Sequence, residues 1–167
     1  MSKALPPKPR VFAPKSRVCI VASKYNEVFT DALVDNAVAE LGELLPQGRI
    51  DVIRVPGAFE VPMVAAQVID RVAADCVICL GLILRGDTAH ADLVATAVTG
   101  ALMDLSVRTN TPVVHEVLVC NDEKQAYARC IGESLNRGRE AARVAAAMVD
   151  IVSELNRTMP RAIPRHR

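Results

Sequence analysis

The stretch Gly81-Leu-Ile-Leu-Arg-Gly-Asp-Thr-Ala-His90 holds the residue types best suited to chemistry in this sequence. An apolar run ends in it, and a long helical pattern begins at His90. Gly86 and Thr88 offer backbone and hydroxyl donors at a helix N-terminus, where unpaired amides and the macrodipole favour a phosphate. An imidazole in that first turn is placed for proton transfer. The plain alternative is a capped helix with a surface histidine. The stretch is not a P-loop, because no Gly-Lys-Ser/Thr follows, and it is not the dinucleotide G-x-G-x-x-G.

Three other places could join it. Tyr25 follows an apolar run and can stack on a planar heterocycle, or simply lie on the surface. Val55-Pro56-Gly57-Ala58-Phe59-Glu60 is a stiff turn into a helix. Its amides and the Glu60 carboxylate can bond a polar ring edge; ordinary punctuation, with Glu60 favoured by the helix dipole, explains them too. Arg129 lies on an Ala-rich helical stretch. Its guanidinium can clamp a phosphate bidentately or be solvated.

The five cysteines are odd in number and lack framework spacing. Cys76 and Cys79 form a C-x-x-C, but inside a strand-like run, where odd spacing sends the side chains to opposite faces. Buried reduced thiols in a cytosolic protein are therefore expected. No Ser, His and Asp order suggests a hydrolase, and no His, Cys and acid set has metal spacing.

The elements that must position these residues alternate. Strands are predicted at Arg17–Ser23, Ile50–Val55, Cys76–Leu84 and Val113–Cys120, the third being the most apolar and so central. Helices are predicted from about Thr30, taken as an N-cap, and over Ala58–Val72, His90–Val107, Lys124–Glu133 and Arg139–Asn156. The order β-α-β-α-β-α-β-α-α implies a parallel four-stranded sheet with helices on both faces, a three-layer α/β/α sandwich. Ligands of such sheets bind at the carboxyl ends of the strands, which directs attention to four loops: Ser23–Asn26, Val55–Glu60, Gly81–His90 and Val119–Asp122.

Composition sets the limits. The 167 residues suit one domain, here 16–157, after an extended Pro-rich arm at 1–15 and before a basic tail at 158–167. Pro6, Pro7, Pro9 and Pro14 forbid a helix in the arm, which is either disordered or docked on a neighbouring subunit. Lys and Arg total 20 against 19 Asp and Glu, which argues against a general nucleic-acid binder. The apolar stretches are far shorter than the roughly 20 residues of a membrane span. With no secretory signal visible, a cytoplasmic location is expected. A mean hydropathy of +0.23 is high for a small soluble domain, so surplus apolar surface should go into subunit contacts.

Taken together, the motifs resemble the 6,7-dimethyl-8-ribityllumazine synthase family of riboflavin biosynthesis over about Arg17 to Asn156. Val55-Pro-Gly-Ala-Phe-Glu-Val-Pro62 and Gly81–His90 carry most of the likeness. Pro112-Val-Val, Glu123-Lys-Gln-Ala-Tyr-Ala-Arg129 and Asn136-Arg-Gly-Arg-Glu-Ala-Ala142 support it. The resemblance implies a flavodoxin-like fold. It also implies a transferase that condenses 5-amino-6-(D-ribitylamino)uracil with 3,4-dihydroxy-2-butanone 4-phosphate, giving the lumazine, phosphate and water without cofactor or metal. His90 falls on the family's proton-transfer histidine. Tyr25 falls on its stacking aromatic; Ala58, Phe59, Glu60, Leu82, Ile83, Leu84 and His115 fall on its pyrimidine and ribityl contacts. Asp87 and Thr88 match the phosphate loop, and Arg129 the phosphate clamp. The family assembles as pentamers with each site between adjacent subunits, and some members stack twelve into an icosahedral, sixty-subunit shell, which a riboflavin synthase partner can occupy. Cys130–Arg137 shows no insertion of the kind that blocks a shell.

His115-Glu116 departs from the family's usual Phe-Gly and brings two ionisable groups. Arg137 stands where Lys is frequent, and Tyr25 where Phe or Trp is. Asp87 puts an acid beside the phosphate position, to be offset by Arg129 or Arg85. Two other readings stay open: a flavin- or lumazine-binding relative without turnover, and a shell whose basic tail (Arg157, Arg161, Arg165, Arg167) attracts an anionic cargo.

Overall fold

The computed structural model describes residues 4–12 and 15–159. Four parallel strands, β1 (Arg17–Ser23), β2 (Arg49–Val55), β3 (Cys76–Leu84) and β4 (Val113–Cys120), form one sheet in the order β2-β1-β3-β4. Their β-branched, nearly unbroken apolar runs suit strands covered on both faces. Every residue of β1 after Arg17 is buried, as are the first seven of β3, and these two strands occupy the centre. The expected class, a flavodoxin-like three-layer sandwich, is the one found.

Side-chain alternation splits the core in two. On one face Ile20, Ile78, Leu80 and Leu118 pack with α1 (Glu27–Leu44), α4 (Glu123–Cys130) and α5 (Arg137–Thr158). On the other, Val21, Val77, Cys79 and Val117 pack with α2 (Val61–Val72) and α3 (His90–Thr109). Cys76 belongs to the first cluster and Cys79 to the second, as the strand geometry required. All five cysteines are free and buried, and burial raises the Cys76 thiol to about 12.

Helix α5 approaches α1 closely because its buried face is Ala141, Ala142, Ala145 and Ala146. At Gly138 a Cβ would collide with the Leu33 carbonyl, so only glycine permits this spacing. Helix α3 differs. It buries Val98, Leu102 and Leu105 but leaves Leu93, Met103 and Val107 about two-thirds exposed, the surplus apolar surface that the composition anticipated.

The helix boundaries needed correction. Helix α1 starts at Glu27 with Asn26 as its cap residue, so Thr30 is not the N-cap but a fully buried residue of the helix's first turns. Ala58–Glu60 is a 3₁₀ turn before α2. Helix α5 begins at Arg137, two residues early, because the Asn136 side chain accepts from the Arg139 amide and caps it.

The described part of the arm lies on its own chain. Lys8 pairs with Glu43, Arg143 donates to the Pro6 carbonyl, and the Phe12 amide donates to Asp150 at 2.8 Å. Pro14, Arg161, Arg165 and Arg167 lie outside the described residues. Within the described residues, no helix is long and apolar enough to cross a membrane.

Candidate functional site

A cavity of about 410 Å³ opens where β1, β2 and β3 end. Tyr25, Ala58, Phe59, Glu60, Leu82, Ile83, Leu84 and His90 all line it, so three of the four candidate loops converge within one chain. Parallel strands bring this about, because each strand-to-helix loop leaves at the same end of the sheet.

The loops are fastened to one another. The Lys24 amide donates to the Val55 carbonyl at 2.8 Å, and the Tyr25 amide to the Pro56 carbonyl at 3.1 Å. Asn26 adopts the left-handed conformation (φ 60°, ψ 49°), which asparagine tolerates better than most residues. That turn aims its side-chain amide at the Leu82 carbonyl, 2.8 Å away. Its own carbonyl accepts from Phe29 and Thr30, starting α1. Asn26, Gly57 and Val94 also line the cavity and were missed as site residues. An asparagine between a buried strand and a helix was the available signal for the first.

Gly57 leaves room for its neighbours. A Cβ there would stand 3.0 Å from the Tyr25 ring and 3.0 Å from the Glu60 carboxylate. That carboxylate accepts from the Gly57 amide at 2.8 Å, so one of its oxygens is held and the turn is closed. Tyr25 (68% exposed) and Phe59 (64%) present open ring faces at the mouth, where a planar ligand could be covered.

Asp87, Thr88 and His90 are exposed at the start of α3. The His90 amide donates weakly to the Thr88 hydroxyl at 3.4 Å. Arg85, one expected offset for Asp87, pairs instead with Asp92 at 2.6 Å. Among the described residues no His, Cys, Asp and Glu group could hold a metal ion.

Four predicted residues do not line the cavity: Asp87 and Thr88, at the start of α3, and His115 and Arg129. His115 points from β4 toward α3, its Nε2 2.8 Å from the Thr99 hydroxyl. Its Nδ1 accepts from the Val117 amide at 3.1 Å, so in the neutral ring the proton sits on Nε2 and is donated to Thr99. Burial pushes its pKa down, so the feared charge at this position is disfavoured. Arg129 donates to the Gln125 carbonyl at 3.2 Å on its own helix.

Glu116 faces the opposite side of β4 from His115, between α4 and α5. Burial raises it to about 7; Arg137 opposes that rise and Glu140 adds to it. Arg137 is itself 5% exposed and paired with Glu140.

Comparison with known proteins follows the same lines. The family model described as 6,7-dimethyl-8-ribityllumazine synthase matches residues 15–153. A protein of that name from Protochlamydia amoebophila is 36% identical over 143 residues, 85% of this chain and 83% of its own. One from Nitrobacter hamburgensis is 36% identical over 159 residues, 92% of this chain and 96% of its own. A "6,7-dimethyl-8-ribityllumazine synthase 1" from Rhodopseudomonas palustris is 39% identical over 145 residues, covering 84% and 88%.

Proposed function

The chain belongs to the 6,7-dimethyl-8-ribityllumazine synthase family, and from that premise we propose how its own residues perform the reaction. The protein is a transferase of riboflavin biosynthesis. It condenses 5-amino-6-(D-ribitylamino)uracil with 3,4-dihydroxy-2-butanone 4-phosphate to the lumazine, phosphate and water.

Tyr25 stacks on the uracil ring. Backbone groups of Ala58, Phe59 and Leu82 to Leu84, with the free oxygen of Glu60, meet the ring edge and the ribityl chain. Asp87 and Thr88 lie beside the phosphate. His90 moves protons as the imine forms and phosphate is eliminated. Both substrates are reactive, so alignment in a fixed cavity supplies much of the acceleration. The observation that carries this reading is the cavity itself, with a stacking ring, a polar edge and an imidazole on converging loops.

Among the described residues, the cavity lining of a single chain holds no cation for the phosphate: Arg129 lies outside it and Arg85 is engaged. An adjacent subunit therefore supplies Arg129 and His115, and the exposed apolar face of α3 is where copies meet in a homopentamer. Twelve pentamers closing into a shell, and a riboflavin synthase inside it, extend the same assembly. Five reduced, buried thiols suit the cytoplasm. The units are the arm at 1–15, the catalytic domain at 16–157 and the tail beyond.

The test is a two-substrate assay following lumazine absorbance, with no metal or nucleotide added. Turnover well above the spontaneous reaction is expected. Background turnover with flavin or lumazine still bound would overturn catalysis and leave a binding protein.

A further inference from the structure

Arg54 stands one residue before the end of the edge strand β2, opposite Ala22 of β1. It does not line the cavity, and neither motif nor spacing singles it out. Its guanidinium is mostly enclosed, with 23% of the side chain exposed. Nη2 donates to the Ser23 carbonyl at 2.9 Å and to the Thr30 hydroxyl at 3.1 Å. Nη1 pairs with Asp31 at 2.5 Å. The Thr30 hydroxyl, accepting from Arg54, donates onward to the Glu27 carbonyl at 3.4 Å.

These bonds have one geometric effect. Ser23 ends β1, and Thr30 and Asp31 lie in the opening turns of α1. One rigid, planar fork therefore ties the residue before the Lys24-Tyr25-Asn26 loop to the helix after it. Ser23 and Thr30 are both fully buried, so water does not readily replace the donor. The loop's other restraints run to Val55, Pro56 and Leu82, and through the Asn26 carbonyl to Phe29 and Thr30. Arg54 holds it from behind.

We propose that Arg54 is a positioning residue that fixes the Tyr25 ring over the cavity; this rests on the reading that Tyr25 stacks on the uracil substrate. The chain has no Trp and two tyrosines, so Tyr127→Phe leaves Tyr25 as the only tyrosine reporter. In that background Arg54→Met and Arg54→Lys are compared by KM for each substrate and by tyrosine anisotropy.

Arg54→Met should raise KM for the ribitylaminouracil about tenfold, the equivalent of one lost charged hydrogen bond, while KM for the butanone phosphate moves by less than about twofold. Anisotropy of Tyr25 should fall. Arg54→Lys, which reaches one acceptor rather than two, should shift both readouts less. If Arg54→Met does not fold, the lysine variant carries the test alone. In a Tyr25→Ala background, loss of Arg54 should add nothing to the uracil KM. Additive effects there, or an unmoved uracil KM with normal turnover, overturn the positioning role. No turnover in the unsubstituted protein overturns the proposed reaction and this role with it.

Discussion

Around the ends of β1, β2 and β3, the site side chains meet over a cavity and their loops are bonded to one another. Along β4 and the two helices that follow, comparable side chains are bonded away from the cavity: His115 to Thr99 of α3, and Arg129 to Gln125 and Arg137 to Glu140 on their own helices. The first region is lined mainly by neutral side chains and backbone groups, Glu60 and His90 excepted, and such groups suit a planar polar ring by shape and hydrogen-bond pattern. The second carries the cationic and titrating groups, which a phosphate needs. On the proposed reading, one chain builds the half of a site that reads a heterocycle and holds the charged half apart from it. In the proposed pentamer a second copy joins the halves, which is why assembly and catalysis belong to one proposal.

The sharpest way to break this division is to remove one group from each side. His90→Ala should lower kcat by about 10²-fold, the low end for a general acid–base group, with modest effects on either KM. Arg129→Ala should raise KM for the phosphate substrate about 30-fold, or ~2 kcal/mol for a charged hydrogen bond, and leave KM for the uracil nearly unchanged. Steady-state kinetics with each substrate varied in turn checks both. Equal rises in the two KM values would dissolve the division.

Gly57→Ala sharpens the neutral side. The added Cβ would sit 3.0 Å from the Tyr25 ring, which is exposed and can swing away. Stability should therefore fall by less than about 1 kcal/mol, whereas a buried overpacked site loses ~1–3 kcal/mol. Displacing the ring should still raise the uracil KM by about tenfold. Chemical denaturation beside kinetics separates the two. A large stability loss with unchanged KM would mean that the turn, and not the stacking face, needs the glycine.

Most of the neutral half was legible in the sequence because parallel strands dictate where loops emerge and the motifs occupy those loops. Tyr25, Glu60, Leu82 and His90 needed only the topology to be brought together. Arg54 was not legible, and Asn26 showed only as an asparagine between a strand and a helix. Their work depends on a left-handed backbone turn and on register across β1 and β2, neither of which residue type or spacing reveals. Thr30 was misread for a related reason: its hydroxyl suited a cap, but Asn26 starts the helix a turn earlier and leaves Thr30 to accept from Arg54. In the charged half the residues were visible; Arg129 and Arg137 bond at helical spacing to Gln125 and Glu140, but the contact of His115 with Thr99 of α3 crosses from strand to helix, beyond any pattern along the chain.

Glu116→Gln tests the charged half through stability, with the smallest expected effect on turnover. An unfolded glutamate ionises near pH 4.5, and in the fold Glu116 keeps its proton to about 7. Below 4.5 both states are protonated, and well above 7 both are ionised. Between them the folded state holds the extra proton, so stability falls as pH rises through that window. Its neighbour His115 acts oppositely: its lowered pKa leaves the unfolded chain with more protons below about 6.5, so its contribution rises with pH. The wild-type profile therefore mixes two opposed slopes, and only the difference between wild type and variant isolates the carboxyl. Arg137 and Glu140 face Glu116 from α5, and Arg137 partly offsets its buried charge. Glutamine keeps the shape and cannot ionise, so the variant should gain stability relative to wild type between pH 5 and 8, with the gain levelling off above about 7. Urea midpoints at half-unit pH steps would read this. A constant difference across the range would mean that Glu116 is already ionised in the fold, and that Arg137 balances a charge there instead of standing beside a neutral acid.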